Sequence, residues 1–292
     1  MITAVPGVRV GHWTGVATGC TVIELPEGTV ASAEVRGGAP ATREVALLEP
    51  TRTVDRLDAV VLTGGSAFGL AAADGVMPLL AAQGRGVPTA AGPVPIVAAA
   101  AVFDLDVGDH RRPGPGEGAF AWTSATDGAF PTGRVGAGRG TRVGRWKGAE
   151  HAVPGGLGTA HSVIDGVVVG ALAVVNAVGD VVAADGTVLA GSTAPAGTEP
   201  FAQPMPVIEQ TTLVVVATDA RLTKPECFLL AQSAHHGLVA SLRPSHTRFD
   251  GDLTVAAATG AVDVASLERL RMAVTDVVAD AVRDAVVAVD DR

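Results

Sequence analysis

The chain has 292 residues, enough to bury a sizeable core, and 48% of them are hydrophobic against 17% charged, which points to apolar surface buried partly between copies of the chain in a homo-oligomer. A net charge of −9 argues against a nucleic-acid surface, which needs clustered positive charge to displace counterions, and leaves a small molecule as the expected partner. Two cysteines, Cys20 and Cys227, lie far apart without a CxxC spacing, against a disulfide scaffold or a zinc ribbon and in favour of a reducing compartment.

The start, "MITAVPGVRVGHW", lacks a basic segment followed by a long apolar one, so no secretion signal is expected. Pro95 and Asp104 interrupt the apolar stretch Val94 to Val107, and Asn176 and Asp180 interrupt Val167 to Val182; these would be costly in lipid. A cytoplasmic protein without a membrane partner is the expectation. In chain order, short strands alternate with turn signals from Thr18 to Arg36. A buried strand at Ala59 to Leu62 then meets a glycine turn, and alanine and leucine at helical spacing predict a helix from Phe68 to Gln83. "PIVAAAAVFDLDVGD" reads as another buried segment, and residues 108 to 150, glycine-rich and aperiodic, read mostly as loop. Asp165-Gly166, Gly179-Asp180 and Asp185-Gly186 separate valine-rich runs between His161 and Leu189, which predicts an antiparallel meander. A connector with four prolines in the twelve residues Pro195 to Pro206 leads into a strand, Thr211 to Ala217. A helix from Lys224 to Leu242 opens on a Thr223/Glu226 capping box, "DLTVAAATG" gives a last strand, and Val264 to Val289 a closing helix. Segregated strands and helices make an α+β class, with helices layered on sheets in a single domain spanning 1–292.

Several stretches carry chemistry, each with a plainer alternative. "GGSAFG", Gly64 to Gly69, sits where a strand opens into a helix, and is either an anion site of free amides or a tight turn. It lacks the third glycine of a dinucleotide fingerprint and the lysine of a P-loop, and Ser66 fails the G-x-S-x-G frame. "GRVGAGRGTRVGRWKG", Gly133 to Gly148, is a solvated basic loop or the cationic lining of a pocket. The seven histidines, His246 among them, show no paired-ligand spacing, so no metal and no other cofactor is implied. In "HTRFDGD", Asp250 and Asp252 stand two apart around Gly251, either converging on one site or forming an Asp-Gly turn. Asn176 ends an apolar strand, as a turn cap or an oxyanion donor. Thr211 is either a β-favouring strand start or a nucleophile. A hydroxyl needs a nearby base, and a threonine at a chain's own N-terminus carries one: an α-amine with a reference pKa of about 7.7 to 8.0. Making that amine requires cutting the bond from Gln210 to Thr211, and a slack proline-rich connector lets the new end separate.

"PGVRVGHWT", "VVLTGGSAFGLAAADGVM", "GRVGAGRGTRVGRWKG", "GALAVVNAVGDVV", "TTLVVVATDARLTK" and "RPSHTRFDGDLTVAAATG", in this order, resemble the DmpA-type aminopeptidases over nearly the whole chain. These are self-processing N-terminal-nucleophile hydrolases that include β-aminopeptidases and nylon-oligomer hydrolases. The resemblance implies an αββα sandwich like that of ornithine acetyltransferase, tetramers or larger assemblies, and self-cleavage into an α-chain, 1–210, and a β-chain, 211–292. It implies Thr211 as nucleophile, Asn176 as oxyanion donor, Asp250 and Asp252 orienting the nucleophile and its amine, and a catalytic charge at Arg145. Gly64, Gly65, Ser66 and Phe103 are the candidate substrate contacts. The chain departs from its relatives in Gln210 where Asn or Gly is common, in Arg145 where a lysine is frequent, and in Phe103 where a tyrosine hydroxyl occurs. Arginine holds charge and donates hydrogen bonds but supplies no neutral base. The function expected is hydrolysis of amide bonds in short peptides, β-peptides or ω-amino-acid oligomers through an acyl-enzyme. The alternatives are acyl transfer of the ornithine-acetyltransferase kind, a binding protein with a dead site, and a nucleotide-binding module.

Overall fold

Strand residues alternate between two apolar surroundings, and this alternation builds the layers. In Thr211–Ala220, Leu213, Val215 and Ala217 enter one core while Val214 and Val216 enter another, as the two-residue side-chain period requires. The computed structural model describes residues 1–108, 111–202 and 210–287. Ten strands form two five-stranded sheets: β1 (Arg9–Thr14), β2 (Gly19–Glu24), β3 (Val30–Val35), β4 (Thr42–Arg43), β5 (Ala59–Thr63), β6 (Val97–Ala101), β7 (Gly156–Ile164), β8 (Val167–Asn176), β9 (Thr211–Ala220) and β10 (Leu253–Val262). The first sheet runs β1-β2-β5-β6-β4 and the second β3-β10-β9-β8-β7. Within them β5 and β6 are parallel, as are β9 and β10, so both sheets are mixed.

Ile23, Val60 and Leu62 of the first sheet meet Leu172, Val174, Leu213 and Val255 of the second in a core between the sheets. On the outer face of the first sheet, Val61 and Ala99 pack with Val76 and Leu80 of α1 (Ala73–Ala82) and Trp122 of α2 (Pro115–Thr123). On the outer face of the second, Val214, Val216 and Ala256 pack with Leu230 and Ala234 of α3 (Lys224–Ser241) and Val274 and Val278 of α4 (Leu267–Val287). The result is an α+β sandwich in αββα layers, as expected. Thr223 caps α3: Glu226 N donates to Thr223 Oγ1 at 3.4 Å and Thr223 N to Glu226 Oε2 at 2.7 Å, a reciprocal pair.

Three expectations need correction. The helix expected from Phe68 begins instead as a 3-10 turn, Ser66–Ala72, and becomes α-helical only at Ala73; Gly65 before the turn and Ser66 at its start are left-handed (φ 80° and 53°), and no side chain caps it. The loop expected over 108–150 contains α2, whose first residue is Pro115 and whose Glu117 Oε2 accepts Gly114 N at 3.0 Å. Its glycines mask it in sequence, yet they are what lets α1 and α2 touch: a Cβ at Gly118 would collide with the Ala72 carbonyl, and one at Gly75 with the Pro115 carbonyl. The meander holds for β7 and β8, joined at Asp165-Gly166 with φ of 53° and 81°, but Asp180–Val182 then leaves the sheet to pair with Val188–Ala190 and Leu242–Arg243. Gln203 to Pro206 of the connector and Ala288 and Val289 of the closing helix lie outside the described residues. Among the described residues no helix is long and apolar enough to cross a membrane.

Candidate active site

Three strand ends meet in the second sheet. Asn176, the last residue of β8, pairs in register with Thr211, the first of β9. Gln210 forms a parallel bridge with Asp250, just ahead of the β9–β10 ladder that starts at Leu213 and Leu253. The residues so gathered are buried: Asn176 0%, Gln210 1%, Thr211 4%, Asp250 1% and Asp252 1% exposed. Sheet order thus places side by side four of the polar residues singled out in the sequence, together with the bond before Thr211.

Thr211 Oγ1 donates to the Gln210 carbonyl at 2.5 Å rather than to either carboxylate. The same carbonyl accepts the Gly251 N–H at 2.8 Å. Asp252 grips the backbone after the threonine, accepting Thr212 N at 2.7 Å on Oδ1, while Oδ2 accepts His246 N at 3.2 Å and pairs with His246 Nδ1 at 2.8 Å. Asp250 Oδ1 accepts Val178 N at 3.2 Å, and Oδ2 accepts Thr247 N at 2.8 Å and Thr247 Oγ1 at 2.7 Å. Burial, and secondarily the neighbouring Asp252 charge, push the Asp250 carboxyl up to about 6 despite those three donors. His235 packs edge-on to His246 at 4.8 Å between ring centroids, and burial lowers its own ring to about 4, so it is a neutral neighbour at pH 7.

Asn176 is held by its side chain, with Oδ1 accepting Arg142 N at 2.9 Å and Nδ2 donating to the Phe103 carbonyl at 3.2 Å. Arg145, 2% exposed, ion-pairs with Asp106 at 2.9 Å. Its turn is tied to the segment after Asn176 through Gly144 N to Gly179 O at 2.9 Å and Trp146 N to Val178 O at 3.1 Å. A cavity of about 350 Å³ opens on Thr211, walled by Gly38 to Ala41, Ser66, Ala67, Ala101 and Phe103, and among the described residues its lining holds no charged side chain. Ser66 and Phe103 are therefore on the wall; Gly64, Gly65 and Arg145 are not. Three of the amides in the anion reading are already taken at this turn: Gly64 N donates to Gly19 O at 2.8 Å, Gly65 N to Asp104 Oδ1 at 2.7 Å and Ser66 N to Val102 O at 2.9 Å. A Cβ at Gly64 would collide with the Asp104 carboxylate, so the glycine pair exists to seat this turn on a buried acid. Burial raises the Asp104 carboxyl above its ordinary range. Sequence reasoning missed His246, Thr247 and the Gly38 to Ala41 wall. The Thr247-x-x-Asp250 spacing was the one local signal for part of it, an S/T-x-x-D turn that satisfies a carboxylate.

The profile of Peptidase family S58 matches residues 1–291. The chain belongs to Peptidase family S58. An uncharacterized aminopeptidase of Mycobacterium leprae is 44% identical over 294 residues, covering 90% of this chain and 79% of its own. A 6-aminohexanoate-oligomer endohydrolase of Paenarthrobacter ureafaciens is 30% identical over 277 residues, covering 89% and 75%. Among solved structures, a β-aminopeptidase of a Burkholderia species superposes with a TM-score of 0.74 at 25% identity, covering 98% of this chain and 86% of its own. The S58 chain is accordingly a hydrolase, and its fold superposes on that of the Burkholderia β-aminopeptidase.

Proposed function

We propose that this chain is a self-processing N-terminal-threonine amidohydrolase that removes or cleaves residues from short peptides, β-peptides or ω-amino-acid oligomers. The observation that carries the reading is the hydroxyl of Thr211 lying against the carbonyl of its own peptide bond, in a buried site opposite Asn176. In maturation Thr211 Oγ attacks the Gln210 carbonyl carbon and the carbon–nitrogen bond to Thr211 breaks. The hydroxyl proton ends on the departing nitrogen, and water then hydrolyses the ester, leaving a Gln210 carboxylate, a free amine and a regenerated hydroxyl. The products are chains 1–210 and 211–292. In turnover the new amine takes the hydroxyl proton as Oγ attacks the substrate carbonyl, Asn176 stabilises the oxyanion, and water releases the acid.

The described lining of the cavity beside Thr211 is uncharged and suits a neutral acyl group, and the names of the P. ureafaciens and Burkholderia relatives supply the substrate classes. Exposed Phe68, Phe120, Val163 and Met272 support assembly into a homo-oligomer, and two buried free cysteines suit a cytoplasmic setting. The test is the mass of the purified polypeptide with time. Two fragments divided before Thr211 support the reading, whereas a chain that stays at 29.1 kDa with no amidase activity overturns it in favour of a binding homologue. Acyl transfer to an added amine outrunning hydrolysis would instead mark an acyltransferase.

A further inference from the structure

We infer that the backbone N–H of Gly251 is the oxyanion donor for self-cleavage at Gln210–Thr211, and that position 251 is glycine because the nucleophile occupies the space a side chain would take. The inference rests on the self-processing reading above and assigns the group that stabilises its tetrahedral intermediate. When Thr211 Oγ adds to the Gln210 carbonyl carbon, negative charge develops on the Gln210 oxygen, and a donor must already face that oxygen. Gly251 N–H lies 2.8 Å from it, within the range of a working oxyanion donor. The donor comes from a strand register: the parallel bridge of Gln210 with Asp250 sets the next amide along against the scissile carbonyl.

The donor is also polarised and fixed. The peptide group that carries the Gly251 N–H has the Asp250 carbonyl at its other end, and that carbonyl accepts Ala39 N at 2.9 Å. Ala39 N–H, the Asp250–Gly251 peptide and the Gln210 carbonyl thus form one chain of hydrogen bonds, in which each bond strengthens the next. The two flanking carboxylates hold this peptide in place, Asp250 through Val178 N and Thr247 and Asp252 through Thr212 N and His246. They act as positioning residues for the donor between them.

The glycine requirement is one of space. A Cβ at position 251 would stand 2.6 Å from Thr211 Oγ1 and 2.7 Å from the Ala39 carbonyl oxygen, displacing both the attacking atom and the donor.

The test replaces Gly251 by glycolate through nonsense suppression, exchanging the N–H for an ester oxygen without adding a side chain, and follows cleavage of the full chain by intact mass. Cleavage slower by about 10² to 10³-fold, with unchanged near-UV circular dichroism, is the expected result. Gly251→Ala, which keeps the N–H but intrudes on Thr211 Oγ, is expected to slow cleavage as well. A folded glycolate or Gly251→Ala protein that cleaves within about threefold of wild type overturns the assignment, the threefold margin being far below the loss of one donor. Wild-type chain that never cleaves overturns the self-processing reading itself, which separates the two failures.

Discussion

Asp252→Ala is the substitution for which the structure gives the most definite energetic expectation. The carboxylate is 1% exposed and takes three donors, Thr212 N at 2.7 Å, His246 N at 3.2 Å and His246 Nδ1 at 2.8 Å. A hydrogen bond to a charged group contributes about 1.5 to 3 kcal/mol, and a buried donor left without an acceptor costs about 1 to 3 kcal/mol. Thr212, 0% exposed, has no solvent to turn to, whereas His246 can change tautomer. Losing Asp252 also lifts a like charge from Asp250, whose carboxyl it helps to raise, and this offsets part of the loss. The net cost expected is about 3 to 4 kcal/mol. Asp252→Asn keeps one acceptor for Thr212 N and should cost about 1 to 2 kcal/mol. Both variants are compared with their parent by urea unfolding in a Thr211→Ala background, so that chain cleavage does not enter. On thermal unfolding the alanine variant should fall by about 5 to 6 °C, from about 1.6 °C per kcal/mol at 292 residues. An alanine variant within about 1 kcal/mol of its parent, or an asparagine variant equally damaged, would show that these bonds do not hold the site.

Thr211→Ala should remain a single 29.1 kDa chain without amidase activity, while Thr211→Ser, which keeps a hydroxyl, should cleave and turn over; mass spectrometry and an amide substrate check both. The raised carboxyl of Asp250 favours its protonated form in the fold, so its contribution to stability is fully present below about pH 4 and lost as pH rises through about 6. Relative to Asp250→Asn, the parent should therefore gain stability between pH 7 and pH 4, on the order of 3 kcal/mol, and a difference independent of pH would refute the assignment. Gly158 faces α4 so closely that a Cβ would collide with the backbone of Ala281 and Ala285. Gly158→Ala should cost at least about 2 kcal/mol by urea unfolding, as overpacking does in a rigid core.

The elements that sequence predicted well are those whose signal is local. The Thr223/Glu226 box marks the start of α3, and left-handed Asp165-Gly166 marks the β7–β8 hairpin, because capping and turn chemistry act over three or four residues. Valine runs identify β8 and β9, but their pairing, and the parallel partnership of β9 with β10, depend on sheet order, which no local pattern encodes. The helix α2 was illegible for a related reason. Gly116 and Gly118 lower its propensity, and what sustains it is contact with α1 at a distance only glycine permits.

The site divides along the same line. Thr211 and Asn176 are legible as polar residues at the ends of apolar strands, and the fold makes them register partners. His246 is not, because its bond is to Asp252 rather than to a metal, and a search for ligand spacing passes over it. Arg145 is a catalytic charge only by the resemblance, and its ion pair is with Asp106, a neighbour only in the folded chain. Most of the groups that surround the Gln210–Thr211 bond are main-chain amides: Gly251 N on the carbonyl, Thr212 N and Val178 N on the two carboxylates, Ala39 N behind them. A main-chain N–H has no letter of its own, so a sequence reveals it only where a side chain is forbidden. Gly251 is such a place, and it explains why the spacing in "DGD" matters more than the two acids considered singly.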